Sequence, residues 1–144
     1  MALKIIRTFV PIVDGACLNE VLNAVDNEVP PTTDEGMFNC LLVAYAVLQV
    51  ADRNTPAHAE ALAFLAICRK AYKHENKAHK IFFKHLAVKV RDICPNAYLI
   101  VTEALLPHER RWINLSSDLT ETLKGLLAAA VCCGIVFIIL LQVL

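Results

Sequence analysis

The histidines of this chain have a spacing that decides what chemistry they can perform. His74, His79 and His85 lie five and six residues apart, and His58 has no partner at ligand spacing. Two metal ligands on one face of a helix need a separation of three or four residues. The spacing therefore predicts solvated positions on a helix and no metal site.

The six cysteines show no pattern typical of a zinc site or a disulfide framework. Four of them lie more than twenty residues apart among apolar neighbours, and no CxxC pair occurs. Such spacing favours buried, reduced thiols in a reducing cytosol. The cysteines are Cys17, Cys40, Cys68, Cys94, Cys132 and Cys133.

No motif of a known catalytic mechanism is present. The four glycines lie far apart, at positions 15, 36, 125 and 134, so that no glycine-rich phosphate loop can form. The only serines, Ser116 and Ser117, do not stand in a nucleophile elbow. We expect a protein that is not an enzyme and that needs neither a cofactor nor a metal.

Charges of the two signs balance overall but are segregated along the chain. Residues 61–92 contain eight basic and two acidic side chains, whereas residues 1–60 contain three basic and eight acidic ones. A basic segment can contact nucleic acid or anionic lipid. Because its lysines alternate with core-type apolar residues, the pattern favours a solvated face. We expect no nucleic-acid binding, and any contact should be with lipid headgroups.

The segment from Gly125 to Leu144 carries no charge, and Gln142 is its only strongly polar residue. A helix of roughly 20 apolar residues crosses a hydrocarbon core of about 30 Å. Since this sequence ends there, we expect a transmembrane tail anchor at 125–144 and a single cytosolic domain at 1–124. The alternative, a buried C-terminal core helix, is less favoured because a helix of a soluble protein normally keeps a polar face.

Helical periodicity and capping residues predict an all-α body. Pro30 and Pro31 end one helix. The segment Thr32–Glu35 opens the next helix with an N-cap and an acidic first turn, and Thr55 and Pro56 open the one after it as N-cap and first helical residue. The third and fourth helices are unusually apolar, so we expect them to be buried on most sides. The predicted helices cover about Ala2–Asp14, Ala16–Glu28, Glu35–Ala51, Pro56–His74, Asn76–Ile93, Ala97–Leu106 and His108–Lys124.

This layout favours recognition of a partner helix. A bundle with a very apolar central hairpin can leave an apolar trough on its surface, and an amphipathic helix docks in such a trough through residues at i, i+3, i+4 and i+7. Short helices around a central apolar hairpin, followed by a C-terminal anchor, resemble the Bcl-2 family of apoptosis regulators. The segment Val21–Glu28, VLNAVDNE, resembles the homology 3 motif of that family, with Asp26 after an apolar residue and four others and with Val25 where the motif has a small residue.

The homology 1 motif, which opens the central helix of the family, has two placements here. One places it at Asn39–Leu42, which keeps the asparagine of the motif and loses its arginine. The other makes Pro56–His74 the central helix, with Asp52–Asn54 in the turn before it. We prefer the second placement, because Asn76–Ile93 then follows as the hairpin partner and Arg53 lies at the edge of the groove.

The homology 2 region would lie near Arg111–Ile113, where Trp112 is the only tryptophan and the glycines of the motif are absent. With the short body, these departures make the chain most similar to the divergent Bcl-2 homologues encoded by viruses.

The resemblance implies an anti-apoptotic protein of host–virus interaction. It would sequester pro-apoptotic Bcl-2 family proteins by their death-motif helix, at the outer mitochondrial or endoplasmic reticulum membrane, and Arg53 would pair with an aspartate of that helix. The implied groove residues are Val21, Val25, Phe38, Leu42, Tyr45, Leu48, Arg53, Asn54, His58, Leu62 and Leu65. Two alternatives stay open, a tail-anchored adaptor that binds lipids through its basic face and a pro-apoptotic member of the same fold. The sequence also leaves open a homodimer.

Overall fold

The computed structural model describes residues 3–13 and 15–143, except for the side chains at positions 112, 114–121, 132, 135–137, 139 and 143. The described chain is helical without strands, which confirms the all-α prediction. The helices are α1 (Lys4–Phe9), α2 (Leu18–Asn27), α3 (Asp34–Val50), α4 (Pro56–Arg69), α5 (Lys77–Val90), α6 (Pro95–Glu103) and α7 (Pro107–Val143), with a short 3-10 helix (Val10–Ile12) after α1.

The predicted N-caps are confirmed where the structure places side chains on backbone donors. The Thr33 hydroxyl accepts a hydrogen bond from the Gly36 N–H at 3.0 Å, and the Thr55 hydroxyl accepts one from His58 at 3.3 Å. Asn76 caps α5 by accepting from the N–H groups of Ala78 and His79. Each cap satisfies a backbone donor that the first helical turn leaves unpaired.

Two helices end five residues earlier than the periodicity predicts. The first helix gives way at Val10 to a 3-10 turn, because Pro11 has no N–H with which to continue the α-helical ladder. The fourth ends at Arg69 instead of His74, since the N–H groups of Lys70, Ala71 and Tyr72 form tighter bonds to the residue three positions earlier. The Lys73 N–H then bonds to His79 Nδ1 at 3.2 Å, which closes the turn into α5.

The central element is α3, which packs most extensively against α4 and also contacts α1, α2 and α5. Helix α4 packs in addition against α6, whereas α5 packs against α6 and α3. Direct contacts between α4 and α5 are few, so the predicted central hairpin of these two helices is wrong. The central apolar pair is α3 and α4, as in the placement we did not prefer.

Two carboxylates connect helices that are distant in sequence. Glu60, buried on α4, accepts the Ile5 N–H at the start of α1 with both oxygens, at 3.0 and 3.3 Å. Glu20 of α2 accepts the backbone N–H groups of Thr32 and Thr33, both at 2.9 Å, just before α3. These acceptors stabilise donors that precede or open a helix, so each carboxylate fixes the position of one helix on another.

Helix α7 begins beside the core, and its first turn contains a buried carboxylate, that of Glu109. Glu109 accepts the Leu106 N–H at 2.9 Å, and Lys80 Nζ lies 3.8 Å from its other oxygen. Burial, together with the negative charge of Glu109, raises the pKa of Tyr72 to about 12. The tyrosine hydroxyl therefore stays neutral at physiological pH.

Helix α7 is continuous across the predicted boundary between body and anchor. It runs as one helix of 37 residues, and Lys124 lies within it. Among the described residues, no helix is both long enough and apolar enough to cross a membrane. Leu144 and several tail side chains lie outside the described residues, so the anchor at 125–144 stays a prediction from sequence.

Candidate helix-binding groove

Helices α3 and α5 lie side by side and run in the same direction. The rings of Phe38 and Phe82 have centroids 5.3 Å apart, and Lys89 Nζ lies 5.9 Å from the centroid of the Tyr45 ring. The second pair lies seven residues after the first on both helices. The two helices therefore keep one parallel register over about two turns.

Polar contacts join the two helices at both ends of this shared stretch. At the N-terminal end, Asp34 Oδ1 accepts from Asn76 Nδ2 at 2.8 Å and lies 3.2 Å from His79 Nε2. At the other end, Arg53 Nη2 donates a long hydrogen bond of 3.5 Å to the carbonyl oxygen of Ile93. These contacts hold the two helices at a fixed spacing.

An apolar groove of about 460 Å³ runs along the surface between the two helices, and we name it the α3–α5 groove. Large apolar side chains line the groove and are accessible to solvent. Phe38 is 48% exposed, Leu42 37% and Ile81 54%. Contiguous exposed apolar surface is a mark of interaction sites on soluble proteins. The lining consists of Phe38, Leu41, Leu42, Tyr45, Ile81, Phe82, His85, Leu86 and Lys89.

The length of the groove suits about two turns of a docked helix. Phe38 and Tyr45 are seven residues apart on α3, which corresponds to about 10 Å at a rise of about 1.5 Å per residue. The same distance separates positions i and i+7 of a partner helix. His85 and Lys89 are the polar lining residues, so one rim of the groove carries a positive charge.

A second opening, of about 640 Å³, lies between the starts of α4 and α6, and we name it the α4–α6 cavity. Its wall combines polar and apolar side chains, and Asn54 has a left-handed conformation (φ 65°) that asparagine tolerates better than most residues. The lining consists of Arg53, Asn54, Thr55, Pro56, His58, Ala59, Leu62, Cys94, Pro95 and Asn96.

The structure divides the predicted groove residues among three places. Phe38, Leu42 and Tyr45 line the α3–α5 groove. The four that line the α4–α6 cavity are Arg53, Asn54, His58 and Leu62. The remaining four are buried in the core, which makes their assignment to a surface groove wrong; they are Val21, Val25, Leu48 and Leu65.

Two of these buried residues, Val21 and Val25, are buried for one physical reason. Val21 and Val25 form the apolar stripe of α2, and this stripe packs onto the protein's own core. Asp26 beside them forms an ion pair with Arg7 at 3.0 Å. The Val21 and Val25 stripe of the segment that resembles a homology 3 motif is thus packed inside its own bundle, whereas Leu22 lines a surface pocket beside the first helix.

Sequence reasoning missed the α5 side of the groove. Ile81, Phe82 and Leu86 line the groove from α5, and none of them was among the predicted groove residues. A signal was present in the sequence: Phe82 and Phe83 are adjacent and must point in different directions. Phe83 is buried, and Phe82 contacts Phe38 in the groove.

Arg53 lies just past the C-terminal ends of both helices that form the groove. It follows Val50, the last residue of α3, and its hydrogen-bond acceptor Ile93 follows Val90, the last residue of α5. Within the described part of the chain, its guanidinium forms no ion pair. A positive charge is therefore present beyond the C-terminal ends of the two helices, in the wall of the α4–α6 cavity and outside the lining of the groove.

Comparison with known proteins gives no relative. No family model matches the sequence, and no curated protein or solved structure is significantly similar to it. The described residues also contain no group of three or more His, Cys, Asp or Glu side chains placed to hold a metal ion. What the groove binds is therefore argued from its own geometry.

Proposed function

We propose that this chain is a Bcl-2-like regulator of apoptosis that binds the amphipathic death-motif helix of pro-apoptotic partners in the α3–α5 groove. One observation carries the proposal: an open apolar groove, two helical turns long, between two parallel helices, with Lys89 on its rim. The finer assignment to the Bcl-2 family rests on the sequence resemblance.

Binding would come mainly from apolar burial. Leu42, Phe38 and Ile81 are exposed in the free chain, and a partner helix would remove them from water. Each square ångström of apolar surface removed from water contributes about 25 cal/mol. Three apolar side chains of the partner, at i, i+4 and i+7, match the length of the groove.

Charge would fix the direction of the partner helix. An acidic residue near one end of the partner can pair with Arg53 bidentately, and another along its length can approach Lys89. The Arg53 bond to Ile93 is long and involves a neutral carbonyl, so exchanging it for a carboxylate is favourable. Apolar burial would thus supply affinity, and the arginine would select helices with an acid at that end.

The resemblance also supports the sign of the effect and its location. By sequestering death-motif helices, the chain would inhibit apoptosis as a viral protein that acts on its host. Residues 125–144 would anchor it in the outer mitochondrial or endoplasmic reticulum membrane, with the body facing the cytosol. A pro-apoptotic member of the same fold would have the same groove, and survival of cells that express the chain distinguishes the two.

The groove can be tested with one substitution and a matched control. Leu42→Glu places a charge in the apolar lining and should weaken the binding of death-motif peptides to the full chain at least about tenfold, or about 1.4 kcal/mol. Leu99→Glu makes the same change at an exposed leucine on α6, 57% exposed and outside the groove, and should leave binding unchanged. Peptide titration by fluorescence anisotropy in mild detergent measures both.

Several outcomes would contradict the proposal. Dissociation constants above about 10 μM for every death-motif peptide would reject a helix-binding groove, since this corresponds to only about −7 kcal/mol. Equal loss in both variants would indicate a general effect of added charge. A change of oligomeric state in Leu42→Glu alone would identify the occupant as a second copy of this chain.

The segregation of charge favours a second candidate, a tail-anchored adaptor that contacts lipid headgroups through α5. Lys77 and Lys89 are exposed on this helix, and Lys89 also borders the groove. Attraction between exposed lysines and anionic lipid is screened by salt, whereas apolar docking in a groove mostly persists. Binding to anionic vesicles that disappears between low and physiological salt, without peptide binding, would favour the adaptor.

A further inference from the structure

A thiol and an imidazole are in contact in the wall of the α4–α6 cavity. Cys94 Sγ lies 3.3 Å from His58 Nε2, although the two residues are 36 positions apart. The same sulfur accepts the Ala97 N–H at 3.4 Å, because Cys94 is the N-cap of α6. When His58 Nε2 carries a proton, two N–H groups converge on one sulfur, and both stabilise negative charge that develops there.

His58 has a ring nitrogen that is not used. Its Nδ1 atom is buried and has no hydrogen-bond partner among the described residues, and the residue as a whole is only 7% exposed. The ring is therefore held through Nε2 alone. It can accept the thiol proton and give it up again without breaking another hydrogen bond, which is the behaviour of a general base.

The other described cysteines of the body have different surroundings. A hydrogen bond with Cys40, together with burial, raises the pKa of Cys68 well above its usual value, so this thiol is held neutral. Cys17 Sγ lies 3.9 Å from a carboxylate oxygen of Glu35, whose charge opposes negative charge on the sulfur. Within the described residues, Cys94 is the cysteine whose sulfur contacts an imidazole.

The cavity limits what can reach the sulfur. Cys94 is 2% exposed, so a reagent must pass through the α4–α6 cavity and must be small. Arg53, Asn54 and Asn96 line the same cavity and offer N–H donors to oxygen atoms. Because the sulfur is buried beside a base and polar donors, it suits a peroxide better than a bulky electrophile.

We propose that Cys94 is a peroxide-reactive thiol, with His58 as its base. His58 Nε2 takes the thiol proton, and the sulfur attacks one oxygen of hydrogen peroxide. The S–O bond forms as the O–O bond breaks, and the leaving hydroxide takes the proton from His58 and becomes water. Cys94 is oxidised by two electrons to a sulfenic acid, and the peroxide is reduced.

The proposal is tested on the full chain with hydrogen peroxide at neutral pH. After a timed exposure, the peroxide is removed with catalase and the chain is unfolded in dimedone, which traps sulfenic acid at buried and exposed cysteines alike. Peptide mass spectrometry then gives a rate for each cysteine. We expect Cys94 to be labelled roughly tenfold faster than the more exposed Cys17. His58→Gln should slow Cys94 at least about tenfold, leaving Cys17 unchanged. The matched control, His108→Gln at an exposed histidine in the first turn of α7, should change neither rate, and Cys94→Ser should lose the label.

Two results would overturn the proposal. One is labelling of Cys17 at a rate equal to or above that of Cys94 in the unaltered chain, which would mean that exposure alone decides reactivity. The other is an unchanged Cys94 rate in a folded His58→Gln variant. If that variant loses its helical circular dichroism, the ranking in the unaltered chain decides the matter. The outcome does not depend on whether the α3–α5 groove binds a partner helix.

Discussion

Arg53 bridges the C-terminal ends of the two helices that form the groove. It follows α3, and its guanidinium donates to the carbonyl of Ile93, which follows α5. The same group forms no ion pair within the described part of the chain, and it lines the α4–α6 cavity. Under the proposed function, an acidic residue of a docked helix would replace the Ile93 carbonyl as its partner.

Arg53→Ala should weaken the binding of death-motif peptides at least about tenfold, because loss of one partner of a partly desolvated charge pair costs about 2–5 kcal/mol. The loss should shrink for a peptide whose acidic residue is replaced by asparagine, as a double-mutant cycle would show. Titration calorimetry measures all four combinations. Equal losses of affinity for both peptides would show that Arg53 does not contact the partner. Its role would then be only to bridge the ends of α3 and α5.

At the scale of elements, Glu20 holds α2 against the start of α3. Partial burial raises the pKa of Glu20, but hydrogen bonds from Thr33 and Thr32 lower it by more, so that it lies below its ordinary value of 4.5. Gly36 makes the contact feasible, because a Cβ atom at this position would overlap the Glu20 carboxyl group. The sequence motif Thr-Thr-Asp-Glu therefore caps α3 with help from another helix.

Glu20→Gln should lower the free energy of unfolding by about 1–2 kcal/mol at neutral pH, since charged acceptors bond more strongly than neutral ones. A lowered carboxyl pKa adds stability above the unfolded value of about 4.5, and this stability is lost as pH falls through the folded value. The difference between the two proteins should therefore shrink below pH 4.5. Urea unfolding between pH 3 and pH 7 measures it.

Gly36→Ala is the complementary test of the same contact. The added methyl group should displace the Glu20 carboxylate, so combining it with Glu20→Gln should cost little more than either change alone. Additive losses, or a difference between wild type and Glu20→Gln that does not depend on pH, would contradict the contact as described.

At the scale of the whole molecule, the uncharged tail decides where the groove would operate. Helix α7 carries it without interruption from the body, and Val131 and Ile138 are exposed on it. If this segment enters a bilayer, charges in its middle should prevent insertion. A lysine near the centre of a membrane helix costs about 2.5–3.5 kcal/mol.

The double substitution Val131→Lys and Ile138→Lys should therefore move the expressed chain from the carbonate-resistant membrane fraction to the supernatant. The same two charges placed at Val88 and Leu99, exposed in the body, are the matched control and should leave it in the membrane. Wild-type chain that carbonate extracts, or a double tail variant that stays in the membrane, would reject the anchor and the location proposed with it.

Local signals in the sequence were sufficient for the helices. Thr33, Thr55 and the proline at position 56 start helices where expected, because caps depend on residues within one turn. Phe38, Leu42 and Tyr45 lie together in the α3–α5 groove, because they follow one another at spacings of four and three residues on α3, and that they bind a partner stays a prediction. Arg53 lies in the turn after α3 as expected, but it lines the α4–α6 cavity, and its place at the edge of a partner-binding groove stays a prediction.

Only the tertiary structure decided which helices are partners. Periodicity shows that a helix has an apolar face, but it does not say which other helix covers that face, and α3 has no marked polar face at all. The structure sets α5 parallel to α3 instead of against α4, and this opens the groove and buries Leu48 and Leu65. It also brings Cys94 to His58 across 36 residues, a distance over which no local pattern acts.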